Sequence, residues 1–502
     1  MKSSTFANLS TSDLVEQMRA AYIAAHVAGR TAALVYWDER VMMPSATSSF
    51  RVRQRSWTSG RAHELLQDPD LRDAAMRVCE REPEHAEALA VLRAVQRAAL
   101  RPVSWVERQA AATAAARHAW IDARRTGRVD TYLGALAEVV DLAREEASIV
   151  GYETEPYDAL LGTWEPGMHA STVVELIEDV VDTASDLRSR AYRAERSVLE
   201  HPVPASAVWE LERAVVEALG FDLSAGRIDP SSRAFCIVLG PGDVRIASRC
   251  RATPGIASLT STMHEVGHGI YAQAMHRLGL PLPCAEAPGV AIDESQSRLI
   301  ENHVGLHPGF LEWIRQQAIE CIGPPYDRID PAAWVQAWHG RAGSTLRVGA
   351  DELDYDAHIL IRTRLERALI NGDLEVAELP GAWSDQSRRL LPHLSTTGEA
   401  GILQDIHWSI GQFGYFPCYT LGNIWSAQIM HAARCSISDL DKQLSSANTT
   451  HLRAWLDEGV YVHGCMRSAP DIMQAIVGTT DSGPMKQHLA ERFGVGSRSS
   501  AL

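Results

Sequence analysis

From about residue 11 to about residue 215, apolar residues return every three or four positions, the spacing of long amphipathic helices. Ser10-Thr11-Ser12-Asp13 supplies N-cap chemistry ahead of LVEQMRAAYIAAHVAG, and ALAVLRAVQRAAL repeats the same period. Breaks fall at Asp68-Pro69-Asp70, at Arg101-Pro102 and between Pro156 and Gly167. The pattern changes once. AFCIVL and VRIASRC are short and β-branched, and Gly240-Pro241-Gly242-Asp243 between them predicts an antiparallel pair. Helical spacing resumes near Ser258 and persists, and the terminal GVGSRSSAL is expected to fray. Strands are too few for an α/β sheet, so the expected class is mainly α with a small antiparallel sheet.

Composition narrows the functions. The chain has 502 residues, 46% of them hydrophobic, which is ample for a large core. Its 48 Lys+Arg against 63 Asp+Glu leave a net charge of −15, which argues against a nucleic-acid partner. No apolar run reaches the ~18 residues of a membrane span, and the opening residues lack the apolar stretch of a secretory signal. A cytoplasmic protein is expected. Lysine occurs only at Lys2, Lys442 and Lys486, so nearly every cation is a planar guanidinium. The eight cysteines scatter without a CxxC pair, so neither a thiolate zinc knuckle nor a disulfide frame is expected.

The strongest chemical signal is His264-Glu265-Val266-Gly267-His268, an H-E-x-x-H. Residues four apart share a helix face, so both imidazoles can bind one Zn²⁺ while Glu265 reaches its open position as general base. With 19 His in 502 residues, roughly 0.04 such pentapeptides arise by chance. The surrounding SLTSTMHEVGHGIYAQAM is helical apart from Gly267 and Gly269, and the helix is expected to start behind Ser261-Thr262.

A catalytic zinc usually has three protein ligands. A metzincin would place a Gly and a His at positions that here are Tyr271 and Ala274, which excludes that class. His276 lies about 120° around the helix from His264 and is poorly aimed. The third ligand is expected from another helix. Glu294, in the acidic helix start Asp293-Glu294-Ser295-Gln296-Ser297-Arg298, is the best candidate, because a His₂Glu set leaves zinc able to acidify water. A carboxylate favoured only by the helix dipole is the plainer alternative.

Further segments carry a resemblance. Tyr36-Trp37-Asp38, Pro156-Tyr157-Asp158-Ala159-Leu160-Leu161, Glu165-Pro166-Gly167-Met168, Gly226-Arg227-Ile228-Asp229 and Asp243-Val244-Arg245 precede the H-E-x-x-H. Leu346-Arg347-Val348-Gly349-Ala350-Asp351-Glu352, Gly401-Ile402-Leu403-Gln404-Asp405-Ile406-His407-Trp408 and Gly414-Tyr415-Phe416-Pro417 with Tyr419 follow it. With these, the chain resembles the thermostable (Taq-type) zinc metallocarboxypeptidases over essentially its whole length. The resemblance implies a helical zincin-type fold with a deep groove, usually a homodimer, with the third metal ligand at Glu294. Motifs from Trp37 to Tyr419 must converge on one metal, so residues 1–502 are expected as one domain. Its helical half runs to about residue 215 and its catalytic half from about 216 to 495.

The implied activity is release of single C-terminal residues from a peptide or amide with a free carboxylate. Zn²⁺ is the expected cofactor, with Co²⁺ or Mn²⁺ open. Such chemistry requires a cation for the carboxylate and a donor for the tetrahedral oxyanion. Arg347 is the first choice for the clamp, by family position and bidentate geometry. Arg245 is the second, pointing opposite Val244 and Ile246. His407 and Tyr419 are expected to donate to substrate, with Gln404 and Asp405 orienting their loop. Four places depart from the family pattern: Arg233-Ala234-Phe235 replaces H-P-F, Ala247 replaces a threonine, Gly162 after Leu161 replaces an aspartate, and Asp293 replaces a histidine, where it is expected beside a ligand imidazole. An altered substrate preference is inferred. A dedicated amidase and a non-enzymatic metal scaffold are the alternatives.

Overall fold

Ser10 caps the first helix, α1 (Thr11–Val41), through a reciprocal box: its hydroxyl accepts from the Asp13 amide at 3.2 Å, and the Asp13 carboxylate accepts from the Ser10 amide at 3.1 Å. The chain is described by a computed structural model at residues 9–44, 48–191, 196–250, 255–340, 343–394 and 401–494. Residues 495–502 of the tail expected to fray lie outside these. Twenty α-helices occur among the described residues. Six more of them position the site and are labelled here in chain order: α2 (Pro156–Trp164), α3 (Ala205–Leu219), α4 (Leu259–Arg277), α5 (Val290–Arg298), α6 (Glu352–Asn371) and α7 (Phe416–Ser436).

The mainly helical class holds, with a three-stranded sheet of order β1-β3-β2. β2 (Phe235–Gly240) and β3 (Asp243–Ser248) form the expected antiparallel pair, with Cys236 opposite Ile246. β1 (Gly226–Pro230) adds parallel to β3, with Ile228 opposite Ile246, so the sheet is mixed. Five residues ending in a proline carry no readable alternation, which is why the sequence did not announce β1. One sheet face packs on α4, where Ile246 meets Gly269. The other meets α1, where the Phe235 ring lies 5.8 Å from Tyr36 and 5.4 Å from Trp37.

Helix α4 starts at Leu259, earlier than the expected point behind Ser261-Thr262. Neither hydroxyl serves as the cap: Ser261 donates to the Ser258 carbonyl at 2.8 Å, and Thr262 joins a tertiary contact. Glu212 of α3 is fully buried and accepts from Ser248, Ser258 and Thr262, tying the end of β3 to the first turn of α4.

Helix α5 is gripped on two sides. A Cβ at Gly267 of α4 would lie 2.5 Å from both Gln296 O and Ser297 Cα of α5, and one at Gly422 of α7 would lie 2.6 Å from Glu294 Cγ. The N-terminus of α5 is capped from elsewhere. Gly289 has no side chain to offer, and Glu165, just beyond α2, accepts from the Ala291 amide at 2.7 Å. Burial pushes the Glu165 carboxyl up to about 8 despite that hydrogen bond. Past Arg298 the helix loosens into a π-helical turn, Leu299–Gly305.

Buried side chains from Trp105 to Phe493 make one contiguous core. The first turns of α1 pack separately with helices Pro69–Arg81 and Ala86–Ala99 around Leu14, Met18, Leu71 and Val91. Because both partners at Gly267 are backbone, Gly267→Ala is expected to destabilise the protein by about 1–3 kcal/mol. Urea unfolding reads this as a lower midpoint, and an unchanged midpoint would contradict the close contact.

Candidate metal centre

On α4, His264 and His268 stand one turn apart, with ring centroids 5.0 Å apart at 81°. From α5, Glu294 presents one oxygen to each: Oε1 is 3.8 Å from His264 Nε2, and Oε2 is 3.8 Å from His268 Nε2. The three groups offer donor atoms within 4.8 Å of one another. Tetrahedral bonds of ~2.0–2.1 Å put ligand atoms about 3.4 Å apart, so small movements fit the set to one cation.

The outer nitrogens are also held. Glu301 Oε2 lies 3.0 Å from His264 Nδ1, and Asp293 Oδ1 lies 3.1 Å from His268 Nδ1. A carboxylate at Nδ1 keeps the proton there and turns the Nε2 lone pair inward, as a ligand imidazole requires. Burial lowers the His268 pKa, and Asp293, Glu294 and Glu265 more than reverse this, to about 10. The same field that attracts a proton to His268 attracts a metal ion, so the two compete for the ring. Burial raises the Glu265 carboxyl above its usual range, against the pull of His264 and His268. Such a shift suits a group that must accept a proton near neutral pH.

Arg298, the last residue of the third-ligand motif, has a role that its spacing only hinted at. Arg298 Nε donates to Glu294 Oε1 at 2.9 Å, and its Nη1 donates to Glu301 Oε2 at 3.2 Å. The i,i+4 spacing of Glu294 and Arg298 was legible; the closure through Glu301 onto His264 was not. The Arg298 guanidinium also lies 4.6 Å from the centre of the Tyr355 ring on α6, a contact with no sequence signal.

Beyond Tyr355 lies a second cluster. Arg347 donates from Nη1 to the Tyr355 hydroxyl at 3.1 Å and from Nη2 to Asp405 at 2.8 Å. Asp405 also accepts from Arg362 Nε at 2.7 Å, and the two guanidiniums hold its carboxyl far below the usual range against burial. Gln404 accepts from the Arg347 amide at 3.1 Å and from Arg362 at 2.9 Å. Arg362, buried deep in α6, was not foreseen. Tyr419 places its ring 5.1 Å from the Arg347 guanidinium, and His407 stacks 4.5 Å from Phe416. Burial pulls His407 down to about 4, so its ring is neutral at pH 7.

Arg245 does not join this group. It lies on the sheet face turned toward α1, 5.9 Å from the Trp37 ring, with Asp243 accepting from Nε and Nη2 at 3.0 Å each. Of the other departures, Arg233 is exposed ahead of β2, and Ala247 is buried in β3 opposite Phe235.

A mostly helical body with H-E-x-x-H on one helix and a facing glutamate on the next is the construction of a metallopeptidase. The family model for carboxypeptidase Taq (M32) metallopeptidases matches residues 17–493. Thermostable carboxypeptidase 1 of Thermus thermophilus is 30% identical over 483 residues, covering 92% of this chain and 94% of the relative. Thermostable carboxypeptidase 1 of Pyrococcus furiosus is 28% identical, covering 93% and 95%. The crystal structure of an M32 carboxypeptidase from Deinococcus radiodurans superposes with a TM-score of 0.92 at 25% identity, covering 96% of this chain and 99% of that one. The chain belongs to the carboxypeptidase Taq (M32) metallopeptidase family, and it is thereby a metal-dependent hydrolase of peptide bonds.

Glu301→Gln removes the charge behind His264 while keeping its shape. Metal affinity measured by chelator competition is expected to fall about 10–100-fold. Unchanged affinity would remove Glu301 from the metal's support.

Proposed function

We propose that the chain is a zinc-dependent carboxypeptidase, holding the ion through His264, His268 and Glu294 and releasing single C-terminal residues. The observation that carries this reading is the inward convergence of two imidazoles and one carboxylate, each imidazole backed by an acid at Nδ1. A neutral imidazole pair with one carboxylate is the donor set of hydrolytic zinc, although cobalt or manganese would fit the same atoms. When bound there, the cation supplies Lewis acidity, polarising the scissile carbonyl and making water acidic enough to lose a proton near pH 7.

The chain's own residues do the rest. Glu265 takes the proton from the attacking water and delivers it to the departing amine. Arg347, fixed by Asp405 and Tyr355, presents its guanidinium to the substrate's terminal carboxylate. His407, neutral at working pH, and Tyr419 line that position as donors. Arg245 has no part in this reading, because it faces α1. The homodimer carries over from the family resemblance. A cytoplasmic setting accords with cysteines that form no disulfide among the described residues.

Glu265→Ala is expected to retain stoichiometric zinc by elemental analysis and to lose hydrolysis by about 10²–10⁴-fold or more. Unchanged turnover would sink the mechanism. Blocked dipeptides with a free C-terminus are expected to be cleaved and their C-terminal amides to resist. Equal rates on both would remove the carboxylate clamp.

A further inference from the structure

Beside the metal centre lies a cavity of ≈ 260 Å³, many times the ~15 Å³ that one water requires. Ser261 lines it, one turn before His264 on the same face of α4. Arg298 and Glu301, which brace Glu294 and His264, line it too. So do Tyr355 and Val348, the hydrogen-bond partner and the chain neighbour of Arg347. The cavity thus shares its walls with the residues that brace the ligand set and the proposed clamp.

Its charge is unlike that of the molecule around it. In a chain of net charge −15, four arginines (196, 249, 298 and 492) face three carboxylates (301, 351 and 352) across this space. The carboxylates are engaged. Glu301 contacts His264 and Arg298, Glu352 binds His488 and Arg492, and Asp351 caps the first turn of α6. Two of the cations are not. Among the described residues Arg196 and Arg249 make no ion pair, and the enclosed Nε of Arg196 has no hydrogen-bond partner. Burial pulls the Arg196 guanidinium below its ordinary range, and Asp351 and Glu200 oppose this only in part, without binding it.

We propose that this cavity receives the side chain of the departing residue, and that Arg196 and Arg249 select a carboxylate there. Peptides ending in glutamate or aspartate are then the preferred substrates. The inference rests on the carboxypeptidase reading above. The shared lining supports it, because the walls formed by Arg298, Glu301 and Tyr355 are the same side chains that brace Glu294, His264 and Arg347. Guanidiniums with unused donors in a partly enclosed space bind carboxylates through charge-assisted hydrogen bonds that an amide of equal size cannot match.

The probes are blocked dipeptides that differ only in a last residue of glutamate, glutamine or leucine, with the zinc-loaded enzyme. kcat/KM for glutamate is expected to exceed that for glutamine about tenfold. Arg196→Gln is expected to move that ratio toward one, Arg196→Lys to restore part of it, and Arg249→Gln to shift it in the same direction. Equal rates on the two peptides by the unmodified enzyme would overturn the proposal, as would a preference that survives both glutamine substitutions. Calorimetry with free glutamate and free glutamine separates this from the catalytic reading. Tighter glutamate binding without turnover of any peptide keeps the cavity assignment and removes the peptidase one. Turnover with equal binding of the two amino acids does the reverse.

Discussion

The contact of Gly267 with the backbone of Gln296 and Ser297 governs where every other group of the site falls. It brings α5 against α4 at a distance no Cβ would permit. Only at that distance does Glu294 set one carboxylate oxygen 3.8 Å from each imidazole. Gly422 presses from the other side, so the Glu294 side chain has little room to choose another rotamer. Metal centres need such over-determination, since misplacement by about 1 Å is enough to lose function. The carboxylates of Asp293 and Glu301 then fix the ring orientations, and Arg298 balances the charge gathered behind the ligands.

How much of this was legible follows from sequence distance. H-E-x-x-H is read directly because one helical turn fixes its geometry, and Glu294 with Asp293 and Arg298 stands on a single short helix. The capping box at Ser10 and the β2–β3 pair were legible for the same reason: each is a local interaction. The links that join the two halves of the site were not. Arg298 reaches Tyr355, and Asp405 joins Arg347 to Arg362, across separations that only the packed core determines. Glu165 was visible as a motif residue, but nothing local says that it caps a helix more than a hundred positions later.

Arg245 teaches the opposite lesson. Alternation along VRIAS correctly placed its side chain opposite Val244 and Ile246. What alternation cannot say is which sheet face borders the active helix. Val244 and Ile246 of β3 point to α4, and the face carrying Arg245 and Ala247 meets α1, with Asp243 two positions away taking the guanidinium. Likewise Ser261 and Thr262 looked like cap residues, but the helix starts earlier, and the buried carboxylate of Glu212 takes the hydroxyls of Ser258 and Thr262 into a tertiary contact instead.

Asp405 deserves to be seen as a resident occupant. Its carboxylate sits on Arg347 and Arg362, and Tyr355 takes a further donor of Arg347, so a side chain whose rotamer freedom is worth ~2 kcal/mol is already still. A carboxylate arriving at Arg347 therefore does not have to immobilise it, which removes an ordering term of ~0.5–1.5 kcal/mol. The arriving group must instead share a cation that the fold has supplied with an internal anion. Affinity at that position becomes a contest between two carboxylates, one covalently part of the enzyme at a fixed effective concentration and the other free in solution.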